Sequence, residues 1–159
     1  MGRDFLAAAN GPRLVTMIQL RPATAQDWPP IERLLVASAL PVGGARKHLA
    51  DFVVAERGGE IVGCAGAEVG GGAALLRSMA VSEGERGQGV GQALLDWMLA
   101  MLKRRKVKQV VLLTTTAERF FARQCFKVVA REDVPVALKS SQEFLGVCPA
   151  DATAMMLRL

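Results

Sequence analysis

The chain of 159 residues has no tyrosine, one histidine and three cysteines. The missing tyrosine removes any phenolic proton donor from whatever chemistry the chain performs. His48 stands alone, which excludes a histidine-built metal site, and no metal is expected. Cys64, Cys125 and Cys148 are odd in number and far apart, with neither metal-ligand spacing nor a disulfide framework; they suit a reducing cytoplasm. Although 51% of the chain is hydrophobic, no apolar run is long enough to cross a bilayer, and no membrane partner is expected. Residues 1–16 hold only a short, interrupted apolar piece, unlike a secretory signal. They read as an upstream extension or poorly ordered arm before a single domain at 17–159. Aromatics are scarce, six phenylalanines and two tryptophans. The basic run Lys103-Arg104-Arg105-Lys106 with Lys108 therefore has no interleaved rings. It reads as a solvated helix end that complements the helix dipole, and no nucleic acid is expected.

Glycine, by contrast, is concentrated where it matters. Arg86-Gly87-Gln88-Gly89-Val90-Gly91 lies between an apolar run, Ala73 to Val81, and a segment from Val90 to Lys106 with helical apolar spacing. A strand, a glycine-rich turn and a helix N-terminus together form an anion site, because unpaired N–H groups and the helix dipole converge there. A nucleoside-triphosphate loop would end in Gly-Lys-Ser/Thr, but here the turn ends Gly91-Gln92-Ala93. A dinucleotide fingerprint needs its third glycine three residues after the second, but here glycines alternate at 87, 89 and 91. What remains is Arg-x-x-Gly-x-Gly, or else a plain tight turn.

That pattern resembles the acyl-CoA pyrophosphate loop of the GNAT N-acetyltransferases. Upstream, Ser78-Met79-Ala80-Val81 is similar to that family's strand end. Downstream, Ala117-Glu118-Arg119-Phe120-Phe121-Ala122-Arg123-Gln124-Cys125-Phe126 is similar to its Ala-x-x-Phe-Tyr-x-x-x-Gly-Phe helix. Met17 to Ala23 resembles the family's first strand. Three pieces narrow the likeness to the ArsN-type arsenic-resistance branch. They are Ala74 to Ser78, Leu113 to Phe121, and Glu143 to Pro149.

The pattern along the chain agrees with the family's α/β architecture, a mostly antiparallel sheet with one parallel splayed pair, flanked by helices. Strands are expected at Gln19–Arg21, Phe52–Glu56, Ile61–Val69, Ala73–Val81, Val110–Leu113, Phe126–Ala130 and Ala154–Leu159. Helices are expected from Ala25 (capped by Thr24, burying Ile31, Leu34, Leu35 and Ala39), at Ala45–Ala50, from Val90, and at Ala117–Gln124. Val134 to Gln142 reads as a loop or short helix.

The resemblance implies acetyl-CoA as cosubstrate, with residues carried over position by position. Arg86, Gly87, Gln88, Gly89, Val90, Gly91 and Gln92 hold the pyrophosphate. Met79, Ala80, Val81, Thr116, Phe120 and Phe121 flank the pantetheine arm. The Val81 N–H polarises the thioester carbonyl. Glu68 is the expected base for the acceptor amine, with Glu83 the second candidate. Phe121 stands where the family's acidic tyrosine stands, so either water or a hydroxyl such as that of Thr115 or Thr116 protonates the leaving thiolate, or turnover is slow. Cys125 replaces a glycine and reads as a small buried filler.

The branch likeness implies an α-amine acceptor, an arsenical amino acid such as arsinothricin. Arg77, embedded in an apolar strand, needs a carboxylate partner, either the substrate's or an internal one such as Glu68's. Thr115 accompanies it as a substrate residue; Arg119, Arg123, Lys139 and Cys148 are weaker candidates. Glutamate, a polyamine or a protein N-terminus are the alternative acceptors, and an acyl-CoA-binding sensor without turnover is the non-enzymatic alternative. An exposed C-terminal strand would permit a homodimer.

Overall fold

The computed structural model describes residues 17–147 and 150–159, so the expectations for residues 1–16 and for Cys148 fall outside the described residues. Among these described residues seven strands form one sheet in the order β1-β2-β3-β4-β5-β7-β6. They are β1 Gln19–Pro22, β2 Phe52–Arg57, β3 Glu60–Gly70, β4 Ala73–Val81, β5 Gln109–Thr114, β6 Lys127–Val128 and β7 Thr153–Arg158. Every neighbour pair is antiparallel except β4 and β5. Among the described residues three α-helices accompany the sheet: α1 Trp28–Ala37, α2 Val90–Arg104 and α3 Glu118–Arg123.

The sheet separates two main cores. On one face α2 sets Leu94, Leu95, Met98 and Leu102, all without solvent exposure, against Val53, Ala65, Ala74 and Val110. Four such side chains at helical spacing contribute about 1.5–3 kcal/mol each, which makes α2 a rigid element rather than a marginal helix. On the other face α1 packs Ile31, Leu34 and Leu35 over Phe52, Val54, Cys64 and Ala80. There the Phe52 ring lies across Gly66, whose missing side chain makes room for it. The segment 131–147 covers the rest of that face through Val134 and Leu138, against Leu75, Val111 and Ala154.

Several local expectations change. The helix from Ala25 begins instead as a 3-10 turn, Ala25–Asp27, closed by a Thr24–Asp27 capping box, with α1 proper starting at Trp28. Ala39 is not on a helix face. It is the left-handed residue after α1, at φ 56°, where Leu40 N–H reaches back to the Leu35 carbonyl at 2.9 Å. Residues 45–50 form a 3-10 turn, Arg46–Asp51. β6 keeps two residues of the expected strand. The C-terminal strand is not an exposed edge: β7 is inserted between β5 and β6. The edges are β1 and the short β6, so the stated basis for a homodimer through the C-terminal strand is withdrawn.

Candidate functional site

The site arises where the parallel pair parts. β4 and β5 pair only through Ala73↔Gln109, Ala74↔Val110 and Leu75↔Val111. Past that point each runs on without the other, β4 to Val81 and β5 to Thr114. The physical cause is a bulge in β4. Cys64 pairs with Ala80 and Gly66 with Arg77, so Ser78 and Met79 together oppose the single residue Ala65. Ser78 takes the left-handed conformation, φ 58°, a cost of about 1–2 kcal/mol for a residue with a side chain. Two contacts hold it. The Cys64 thiol donates to the Ser78 carbonyl at 3.2 Å, and Arg77 Nε donates to Ser78 Oγ at 3.1 Å. Burial pushes the Cys64 thiol up to about 12, so it acts as a neutral donor and not as a nucleophile.

The gap is a cavity of about 410 Å³. Met79, Ala80, Val81, Arg86, Thr116, Phe120 and Phe121, all carried over for the cofactor, line it, as do Arg77 and Thr115. Ser82 N–H donates to the Val62 carbonyl at 2.8 Å, so Ser82 faces β3. By strand alternation the Val81 amide then faces the gap, where β5 no longer lies opposite. Phe121 is buried and stands edge-on to Phe120 and Phe126, with ring centroids 5.0 and 5.5 Å away. Thr115 and Thr116 are exposed at the mouth.

At one end of the cavity the chain turns into α2. A 3-10 turn, Glu83–Glu85, is tied back to β2 by Arg57 Nε to Glu85 Oε1 at 3.1 Å. Gly87 and Gly89 are left-handed at φ 79° and 86°. Their missing side chains would meet nothing within 4 Å, so these glycines serve the backbone path and leave open space above it. Gly89 caps α2 without any side-chain bond. The first helical bond is Ala93 N–H to the Gly89 carbonyl, so the amides of Val90, Gly91 and Gln92 have no intrahelical acceptor. Such a cradle fits a pyrophosphate. The side chains contribute differently than expected: Val90 is buried in the core, Gln88 Nε2 reaches the Gly84 carbonyl at 3.5 Å, and Gln92 is bonded to Gln124 and Asp96. For these residues only the backbone is presented. Arg86 Nε donates to the Val81 carbonyl at 3.1 Å, which ties the loop to the strand end.

At the opposite end of the cavity two expectations are corrected. Arg77 has a fully buried side chain whose nitrogens are all engaged by the protein. Nη1 is 2.7 Å from Glu68 Oε2, and Nη2 is 2.8 Å from the Gly43 carbonyl and 3.2 Å from Glu143 Oε2. Of the two partners weighed for it, the internal glutamate is the one present. Glu68 in turn does not face the gap. Its register partner is Leu75, before the splay begins, and it lines a separate cavity of about 240 Å³ with Lys47, His48 and Ser141. His48 Nε2 lies 3.4 Å from its other oxygen. The second base candidate, Glu83, is exposed and borders a surface groove elsewhere.

Cys125 is exposed rather than a buried filler. It occupies the left-handed position after α3, φ 72°, with its N–H on the Ala122 carbonyl and that of Phe126 on Phe121. Arg119 and Arg123 are exposed on α3, and Lys139 bonds the Glu132 carbonyl.

The residue that sequence reasoning missed is Glu143. It is 4% exposed and is the one carboxylate on the cavity wall among the described residues. Ser141 presents it: its Oγ accepts the Glu143 N–H at 3.1 Å and its carbonyl accepts from Phe144 and Leu145. The Ser140-Ser141-Gln142-Glu143 run carries this signal as a serine turn two residues before an acid.

A model of the acetyltransferase (GNAT) domain matches residues 48–128, just over half of the chain. An uncharacterized N-acetyltransferase of Chlorobaculum tepidum is 34% identical over 90 residues, 56% of this chain and 57% of that one. The chain thus spans little more than half the length of that curated relative. N-acetylglutamate synthase from Neisseria gonorrhoeae, solved with coenzyme A and N-acetyl-glutamate, superposes with a TM-score of 0.78 at 20% identity, over 90% of this chain and 35% of that one. A Mycobacterium tuberculosis protein solved with CoA gives 0.72 at 24% identity, over 89% and 99%. These two share the fold. With a bulged β4, a strand pair that parts beside an uncapped glycine turn, and the matching span of 48–128, the chain belongs to the GNAT acetyltransferase family.

Proposed function

We propose that this chain is an acetyl-CoA-dependent N-acetyltransferase acting in the cytoplasm on the α-amine of a small amino-acid-like acceptor. The observation that carries the reading is the continuity between the α2 cradle and the strand gap: Arg86 belongs to both, and Val81 closes one end of the gap. Acetyl-CoA supplies the acetyl group as an activated thioester. The amides of Gly87 to Gln92 bind its pyrophosphate, with Arg86 beside them. Met79, Ala80, Phe120 and Phe121 flank the arm, and the Val81 amide holds the charge that develops on the acetyl oxygen. With Phe121 in place of a tyrosine, the hydroxyls of Thr115 and Thr116 stand at the cavity mouth for proton return to the thiolate.

The ArsN-type likeness nominates arsinothricin as acceptor and arsenic detoxification as the role. The test is thiol release from acetyl-CoA with a panel of arsinothricin, phosphinothricin, glutamate and putrescine. Release with the first two, and little with the others, supports this reading. Release with glutamate or putrescine alone moves the acceptor class. Binding of acetyl-CoA without release supports a sensor.

A further inference from the structure

We infer that the smaller cavity, behind the Glu68–Arg77 pair, is a binding site for a small aliphatic carboxylate. It shares no lining residue with the strand gap. Three segments build it. They are the connection from α1 to β2 through Gly44, Lys47 and His48, the end of β3 from Glu68 to Gly70, and residues 137–142. Glycines bring these segments close at both rims. Gly44 is left-handed at φ 77°, and a Cβ there would stand 3.3 Å from Arg77 Nη1 and 3.4 Å from Gln142 Cβ. A Cβ on Gly71, at φ 60°, would stand 2.9 Å from Ala137 Cβ. Close backbone approach thus frames the space of about 240 Å³.

The observation that points to a ligand is the Ser141 hydroxyl. Ser141 is 8% exposed and lines the cavity. Its N–H donates to the Leu138 carbonyl, its own carbonyl accepts from Phe144 and Leu145, and its Oγ accepts the Glu143 N–H. The Ser141 O–H proton has no acceptor among the described residues, so a buried donor is left for whatever fills the cavity. Lys47 stands exposed at the mouth and makes no ion pair with a described residue.

A buried donor and a cation on one cavity call for an oxyanion. The other charged groups facing the space are matched to each other: Glu68 meets Arg77 at 2.7 Å and His48 at 3.4 Å. Val69, Ala137 and Leu138 complete the wall with carbon, which suits a short alkyl tail better than a fully polar ion such as phosphate. The carboxylate head meets Ser141 and Lys47, and the tail lies on those three side chains.

The experiment is thermal unfolding with butyrate, acetate, inorganic phosphate, n-butylamine and sodium chloride at one ionic strength, repeated with saturating acetyl-CoA. None of its readouts uses transfer, so its failure leaves the acetyltransferase reading untouched. Butyrate raises the midpoint saturably, by roughly 3–6 °C at tenfold above half-saturation. Acetate and phosphate do less, and sodium chloride and n-butylamine do nothing. The shift persists with acetyl-CoA bound, and saturation-transfer NMR shows the butyrate methyl protons in contact with the protein. K47E and S141A each lose the shift, and K47R keeps it. K47E alters an exposed side chain and decides the matter if S141A does not fold. The absence of a saturable butyrate shift overturns the inference and leaves the cavity to water. So does a shift that K47E retains, or one that acetyl-CoA abolishes, which puts butyrate in the strand gap. A larger response to phosphate or to n-butylamine overturns the carboxylate assignment.

Discussion

Replacing Arg77 with methionine separates a structural arginine from a substrate-gripping one. The side chain is fully buried, and its removal takes the guanidinium away from two nearly inaccessible carboxylates, Glu68 and Glu143. It also removes the donor to the Gly43 carbonyl and to Ser78 Oγ. Breaking a buried pair by deleting one partner costs about 3–5 kcal/mol, because the surviving charge stays buried. For a domain of this size each kcal/mol moves the midpoint by about 2–4 °C, so the variant should melt roughly 6–20 °C lower. Thermal and urea unfolding followed by circular dichroism measure this. The triple variant R77M/E68Q/E143Q, neutral throughout, should recover most of the loss. An R77M protein that melts within about 2 °C of the wild type and shows only a raised KM for the acceptor would refute the structural assignment.

Gly89→Glu should abolish acetyl-CoA binding in calorimetry at a folding cost of only about 1 kcal/mol. Its side chain enters open space above the α2 amides and brings a carboxylate to compete for them; retained micromolar binding would sink the loop assignment. All three α-helices end with a non-glycine in the left-handed position, Ala39, Lys106 and Cys125, each followed by the paired backbone bonds of a Schellman turn. Cys125→Gly should therefore raise stability by about 0.5–1 kcal/mol in urea titration, with Lys106→Gly adding to it; a loss in either would mean the side chain has a contact that outweighs the strain. The Arg21 guanidinium bonded to Asp27 holds that carboxyl at about 2, down from 3.8. Because the folded value is depressed, the pair stabilises above pH 4 and the contribution disappears as pH falls from about 4 to about 2. The Arg21 side chain is about one-third exposed, which limits the effect to about 1 kcal/mol, and Asp27→Asn should remove that pH dependence from the unfolding midpoint.

The elements that lead into the cradle were legible because their signals are local. The apolar run to Val81, the alternating glycines and the helical spacing after Val90 sit within 33 residues of one another and specify strand, turn and helix directly. What was not legible depends on distance. Arg77 announced a need for a carboxylate, but the choice among substrate, Glu68 and Glu143 is made by a segment that arrives 66 residues later. Nothing in Ser78's or Met79's type marks a bulge, since the left-handed residue there is a serine and not a glycine. The glycine signal for helix ends failed for the same reason at Ala39 and Cys125. The insertion of β7 beside β5 follows from tertiary pairing, not from any pattern in Thr153–Arg158.

The bulge and the buried ion cluster are one device, and this constrains how the gap can change. Arg77 braces Ser78 from one side and Glu143 from the other, while the Cys64 thiol holds the Ser78 carbonyl. A substitution at Arg77 aimed at a new acceptor would therefore relax the bulge that parts β4 from β5 and damage the gap it was meant to reshape. The wall formed by Ser38 to Pro41 is different. It lines the same cavity and comes from the turn after α1 rather than from the bulged strand. Neither brace of the bulge passes through those residues: Arg77 reaches Gly43, two residues beyond Pro41. The shape of the gap is thus open to variation at 38–41, while its Arg77 and Glu143 wall is fixed by the ion cluster.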